Sequence, residues 1–129
     1  MSDLTALDGT VLHIDDDSVT IVTGPYRHDP PRRCYVSGPT PAPVAVNEEA
    51  ASVVGRLTPT TPLAQFTRPD DVSVWIKGAA VSAVRKGLAV DAAPGETVGA
   101  VVTIGGAHQA VVEDVGLVRR TVNAHGGRV

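Results

Sequence analysis

Leu4-Thr5-Ala6-Leu7-Asp8-Gly9 is followed by Leu12, Ile14, Val19 and Val22, and Phe66-Thr67-Arg68-Pro69-Asp70-Asp71 is followed by Val74, Ile76, Val81 and Val84. The second stretch lies a constant 62 residues after the first, with no gap needed from Leu4 to Val22. Five of the nineteen aligned positions are identical (Thr5, Asp8, Ile14, Val19 and Val22), and most apolar positions stay apolar. The ends of the halves align at an offset of 65, with Glu48-Glu49 on Glu113-Asp114, Val53 on Val118 and Leu57 on Val122. The difference of three residues falls in loops. This sequence therefore reads as one unit written twice.

Within the first unit, Asp8-Gly9 between two β-prone runs is a hairpin signal, because a type I′ turn needs positive φ at both central residues. Asp15-Asp16-Asp17-Ser18 breaks the ladder, and Val19 to Thr23 reads as a third strand. A polar loop from Gly24 to Arg33 follows, then strands over Arg33 to Ser37 and Val44 to Asn47 around the proline-rich joint Gly38 to Pro43. Glu48 to Val54 reads as a short helix with acidic residues in its first turn. The second unit repeats this plan, through Gly105-Gly106, to a helix over Glu113 to Val122. The expected division is a first β-repeat over 1–57, a linker over 58–65, a second β-repeat over 66–124 and a flexible tail over 125–129. The expected class is all-β to α+β. It comprises two pseudo-symmetric β-meander or small-barrel halves of about five short antiparallel strands. Each half ends in a short helix, and the halves share one core. A pseudo-two-fold axis, as in a fused homodimer, is the expected relation.

Composition agrees with this class. Apolar residues make up 43% but aromatics only 3%, so Val and Ala must supply most of the core. Valine is stiff at χ1 and packs well on a pleated surface. Ten prolines and thirteen glycines cut the chain into short pieces, which disfavours a helical bundle. A net charge of −3 gives no general attraction for duplex nucleic acid or anionic membranes. No apolar run approaches the roughly 18 residues of a membrane helix, and Met-Ser-Asp-Leu-Thr has no signal-peptide character. A cytoplasmic location is the expectation. Cys34 is the only cysteine, which excludes an internal disulfide and a cysteine-rich zinc site.

The repeated unit of Leu/Phe-Thr, an Asp turn, a Val-x-Ile strand and a Val-x-x-Val strand resembles the small flagellar and swarming-motility protein family. These are short bacterial β-rich proteins with phage and prophage relatives. The second unit carries the resemblance further, through Val102-Thr103-Ile104, Gly105-Gly106 and Val111-Val112-Glu113. The first departs at Gly38 to Pro43, where the family has a simple hairpin turn. The resemblance implies a compact β-unit that associates with copies of itself, and it brings no catalytic residues.

The richest polar segment is Tyr26-Arg27-His28-Asp29-Pro30-Pro31-Arg32-Arg33. Arg27, Arg32 and Arg33 suit a phosphate or carboxylate, with Tyr26 able to stack on a ring and His28 beside it; the other reading is a solvated loop whose arginines balance local aspartates. Arg119 and Arg120 near the end of the second helix either join such an anion site or complement the helix dipole. Arg85 marks an equivalent, weaker pocket in the second half. Trp75, aligned with His13, is the candidate anchor of the core or of the interface between the halves. His13 with Asp15, Asp16 and Asp17 lacks the alternating spacing of a calcium loop, so no metal is expected, and no cofactor. Cys34 has no evident base and reads as a small buried residue.

With no nucleophile–base pair, P-loop or dinucleotide fingerprint, the chain reads as a non-enzyme. The expected function is a non-catalytic assembly or interaction module that forms homo-oligomers or docks on a larger protein complex. The alternative is a small-ligand binder capturing an anionic metabolite or nucleotide, as in a phage-related sequestering protein.

Overall fold

The computed structural model describes residues 2–129. The first half runs β1 (Ser2–Thr5), β2 (Val11–Ile14), β3 (Ile21–Thr23), β4 (Cys34–Ser37), β5 (Val44–Val46) and α1 (Ala50–Leu57). The second runs β6 (Leu63–Thr67), β7 (Ser73–Lys77), β8 (Val81–Lys86), β9 (Ala100–Ile104), β10 (Ala107–Val111) and α2 (Val115–Ala124). All strand pairs are antiparallel, in three sheets of order β1-β2, β10-β9-β8 and β5-β4-β3-β7-β6. The class is the expected one, β-rich with two short helices. The sheets are open, so the small-barrel form does not occur. Closure fails because the two edges that would have to meet are not paired.

The local bonds of one half recur in the other at the sequence offsets. Ala6 N–H donates to Thr10 O at 2.8 Å and Gly9 N–H to Ala6 O at 3.0 Å. Arg68 N–H donates to Val72 O at 2.8 Å and Asp71 N–H to Arg68 O at 3.0 Å. Only the fourth loop residue is left-handed, Gly9 at φ +86° and Asp71 at φ +66°. The hairpin is thus a type I turn closed by a left-handed residue, not the type I′ turn expected from Asp8-Gly9. Short 3₁₀ turns follow at Asp16–Ser18 and Gly78–Ala80.

Each hairpin is tied to the fifth strand of its own half. Asn47 N–H donates to Thr5 O at 2.8 Å, and Val112 N–H to Thr67 O at 2.9 Å. Thr5 N–H in turn donates to Glu48 Oε2 at 2.7 Å, and Thr67 N–H to Glu113 Oε1 at 3.0 Å. This is why Glu48 does not lie in the first turn of α1, as the sequence led one to expect. Its carboxylate is committed to Thr5, and the helix starts at Ala50 with no acid in its first turn. Asp114 caps α2 by accepting Leu117 N–H at 2.9 Å.

The halves meet through β3 and β7, so the five-stranded sheet belongs to both. Its strand β6 begins at Leu63, within the stretch expected as a linker. Two apolar clusters result. Leu4, Val22, Val36, Val53 and Leu57 centre the first, and Phe66, Ile76, Val102, Val118 and Val122 centre the second. They interlock: Ile21 of the first half lies in the second cluster, and Leu63 and Trp75 of the second half reach the first. The joint is made once only. A two-fold axis would also pair β2 with β8, and these strands are not partners. The stretch 125–129 turns back on α2, with Gly127 N–H on Val122 O at 2.9 Å and Val129 packed against the second cluster.

Asp71 is the single left-handed non-glycine among the described residues, a conformation that costs an L-residue about 1 kcal/mol. Asp71→Gly is expected to raise stability by about 0.5 kcal/mol despite the freer unfolded chain. Urea unfolding of the two proteins checks the sign.

Candidate functional site

The loop after β3 is shaped by one aspartate. Asp29 accepts Tyr26 N–H at 3.0 Å, the Tyr35 hydroxyl at 2.7 Å and Arg33 Nη1 at 3.2 Å. The Tyr26 N–H, then the Tyr35 hydroxyl, hold the Asp29 carboxyl below its usual range. Donating to that carboxylate pushes the Tyr35 phenol up. The Tyr26 and Tyr35 rings lie 5.1 Å apart at 55°. Over Tyr26, 4.4 Å from its centroid, sits the guanidinium of Arg68.

Arg68 is only 3% exposed. Its Nη1 donates to Thr23 Oγ1 at 2.8 Å and Gly24 O at 3.0 Å, and its Nη2 to Pro25 O at 3.0 Å. Nε and Nη2 also hold Asp70, at 3.0 and 2.5 Å, and this bond lowers the Asp70 pKa. All five guanidinium N–H groups are thereby used. Arg68 is a staple from the β6–β7 hairpin to the first half, with no donor left for a ligand. The sequence held one signal for it, since Arg68 aligns with Ala6, but an arginine next to Pro69-Asp70 also reads as an ordinary turn residue.

Beside the staple lies a cleft of about 420 Å³ between the halves. Ile21, Thr23, Tyr35 and Ser37 of β3 and β4 form its floor, with Tyr26, Pro43, Ala107, His108 and Gln109 around it. His108 Nδ1 pairs with Thr103 Oγ1 at 3.1 Å. The lining carries no arginine or lysine.

The arginines singled out in the sequence do not converge on one site; Arg33, Arg85 and Arg119 each have a separate partner. Arg33 is on Asp29. Arg27 is exposed beside Asp70 and Glu96 at a neighbouring cleft, and His28 and Arg32 are exposed in the same loop. Arg85 grips Asp91 through two 2.8 Å bonds, which draw the aspartate pKa down to about 2. Arg119 Nη2 reaches Val84 O at 3.4 Å, and Arg120 is exposed. Because α2 continues to Ala124, Arg119 and Arg120 stand mid-helix, and its last turn has no basic residue. Trp75 is opposite Val22 in the β3–β7 joint. Burial pushes the Cys34 thiol up to about 12, so it is no nucleophile at neutral pH. Among the described residues no group of three or more His, Cys, Asp or Glu is placed to hold a metal ion.

The free sheet edges are the second feature. On β2, Val11 and His13 are exposed, Val11 at 59%; on β8, Ser82, Ala83, Arg85 and Lys86 are exposed. Comparison with protein-family models, curated proteins and solved structures finds no match for this chain.

Arg68→Ala removes the staple and strands the Gly24 and Pro25 carbonyls. A loss of about 3 kcal/mol is expected, on the order of 10 °C in melting temperature. Thermal unfolding followed by circular dichroism measures it, and Arg68→Lys is expected to recover less than half of the loss.

Proposed function

We propose that this chain is a non-catalytic assembly module that associates with copies of itself. One observation carries the reading. Each half ends in two sheet edges, β2 and β3 in the first, β7 and β8 in the second, and the chain uses only β3 and β7. If the halves arose by duplication, the surface that once joined two copies is fused inside the chain, and its counterpart remains available outside. The resemblance to the small motility proteins is in keeping with this, since it implies a self-associating β-unit. No helix among the described residues is long and apolar enough to cross a membrane, and a cytoplasmic setting is part of the proposal. Light scattering across a concentration series tests the reading: masses at multiples of the 13.3 kDa chain are expected. A single-chain mass up to high micromolar concentration contradicts it.

The cleft favours a second reading, a binder of a small anionic metabolite or nucleotide. A planar ring fits beside Tyr26 and Tyr35, with Gln109 and His108 offering polar contacts. The cleft itself has no cation, and the nearest arginine of the same loop, Arg27, lines the neighbouring cleft that shares Tyr26. A ligand selective for the folded state raises the melting temperature with its concentration. The second reading therefore expects a thermal shift with a nucleotide that Tyr26→Ala abolishes. A flat response across a nucleotide panel counts against it.

A further inference from the structure

The joint inside the chain has a defined register, with Ile21 opposite Ile76, Val22 opposite Trp75 and Thr23 opposite Val74. Lys77 N–H donates to Thr20 O at 2.8 Å and Gly24 N–H to Ser73 O at 3.2 Å. The hydrogen-bonded pairs are therefore Thr20–Lys77, Val22–Trp75 and Gly24–Ser73. Ile21–Ile76 and Thr23–Val74 are the non-hydrogen-bonded pairs, whose side chains stand closer.

Moving each residue by the repeat offset of 62 puts β8 in the place of β3 and β2 in the place of β7. We propose that β8 of one copy pairs antiparallel with β2 of the next copy. In this head-to-tail joint Ala83 faces Ile14, Val84 faces His13 and Arg85 faces Leu12. The proposal rests on the assembly reading and names the strands and register that carry it.

The phase of the backbone bonds supports this register independently. Gly87 N–H is turned inward to Gly99 O, at 3.0 Å. Alternation along β8 then turns the polar groups of Val84 and Lys86 outward. Ala6 N–H bonds Thr10 O within the first hairpin at 2.8 Å, which leaves those of Val11 and His13 outward on β2. The register pairs Val84 with His13 and Lys86 with Val11, so the free groups face each other. A slip of one residue would set outward groups against inward ones.

Side-chain chemistry selects the unlike edges. Lys86 on β8 opposes pairing of two β8 strands, whereas Asp8 and Asp15 flank β2. Inside the chain Arg68 of the hairpin holds Thr23. Outside, the equivalents are Ala6 and Arg85, so the hairpin of the outer joint carries no staple and the arginine on the strand is held by Asp91. Ile21 and Trp75 become Ala83 and His13, which makes the outer joint the less apolar of the two and so the more readily exchanged.

Paired cysteines test the joint in a Cys34→Ala background. Leu12 and Arg85 form a non-hydrogen-bonded pair across it, a separation suited to a disulfide. Leu12→Cys mixed with Arg85→Cys is expected to give covalent dimers under mild oxidation, with neither variant dimerising alone. Ala83→Asp, at a residue exposed in the single chain, is expected to return the mass to 13.3 kDa and to make the melting temperature independent of protein concentration. An oligomeric mass with homotypic cross-links, or with none, overturns the β2–β8 joint and leaves the assembly reading standing. An oligomer that survives Ala83→Asp does the same. A single-chain mass for the unmodified protein overturns both.

Discussion

The pairing of β3 with β7 is the constraint from which the rest of the structure follows. A half of about 60 residues buries too little surface to be secure alone. By sharing a five-stranded sheet, each half presents one face of that sheet to its own cluster and lends side chains to its neighbour. Ile21, Leu63 and Trp75 cross the joint in this way. The joint is also fastened at its rim, where Arg68 satisfies three acceptors of the chain leaving β3. Removing the pairing would expose two sheet edges and open both clusters together.

Much of the local structure was legible in the sequence because it is set by short-range chemistry. The ladder break at Asp15 to Ser18, the turn at Asp8-Gly9 and the order of five strands and a helix all depend on residues within a few positions. What was not legible is what needs the third dimension. Asp8-Gly9 points to a hairpin but leaves two turn types open, and the bond from Gly9 to Ala6 decides between them. Glu48 reads as a helix-opening acid until Thr5 is brought to it across 43 residues. Arg85 reads as a pocket cation until Asp91 closes on it, and Arg33 reads either as an anion ligand or as the balance of a local aspartate until Asp29 decides for the second. Charge partners distant in the fold or adjacent across a turn leave no periodic trace.

The differences between the halves carry as much meaning as their likeness. Where the first has Gly9, Ala6 and His13, the second has Asp71, Arg68 and Trp75. Arg68 and Trp75 serve the joint inside the chain. His13, in the place of Trp75, stands on β2, whose outer edge pairs with no strand among the described residues. Such a pattern fits two joints of one design under different demands, one permanent and one made between molecules.

The cleft is a by-product of the same geometry. The second half covers one face of the shared sheet along β6, β7 and part of β3, and β10 begins over the remaining floor of β3 and β4. Thr23 and Tyr35 pair across that floor, as do Ile21 and Ser37. Their counterparts on β8 and β9 are Arg85 with Val101 and Ala83 with Thr103. A copy joined at β8 would roof this second floor as β10 roofs the first, and its cleft would hold an arginine where the first holds a threonine. Under the proposed joint, assembly and ligand capture would not be independent on this fold. A pocket walled by that joint would exist only between joined copies, so a ligand that filled it would also hold them together.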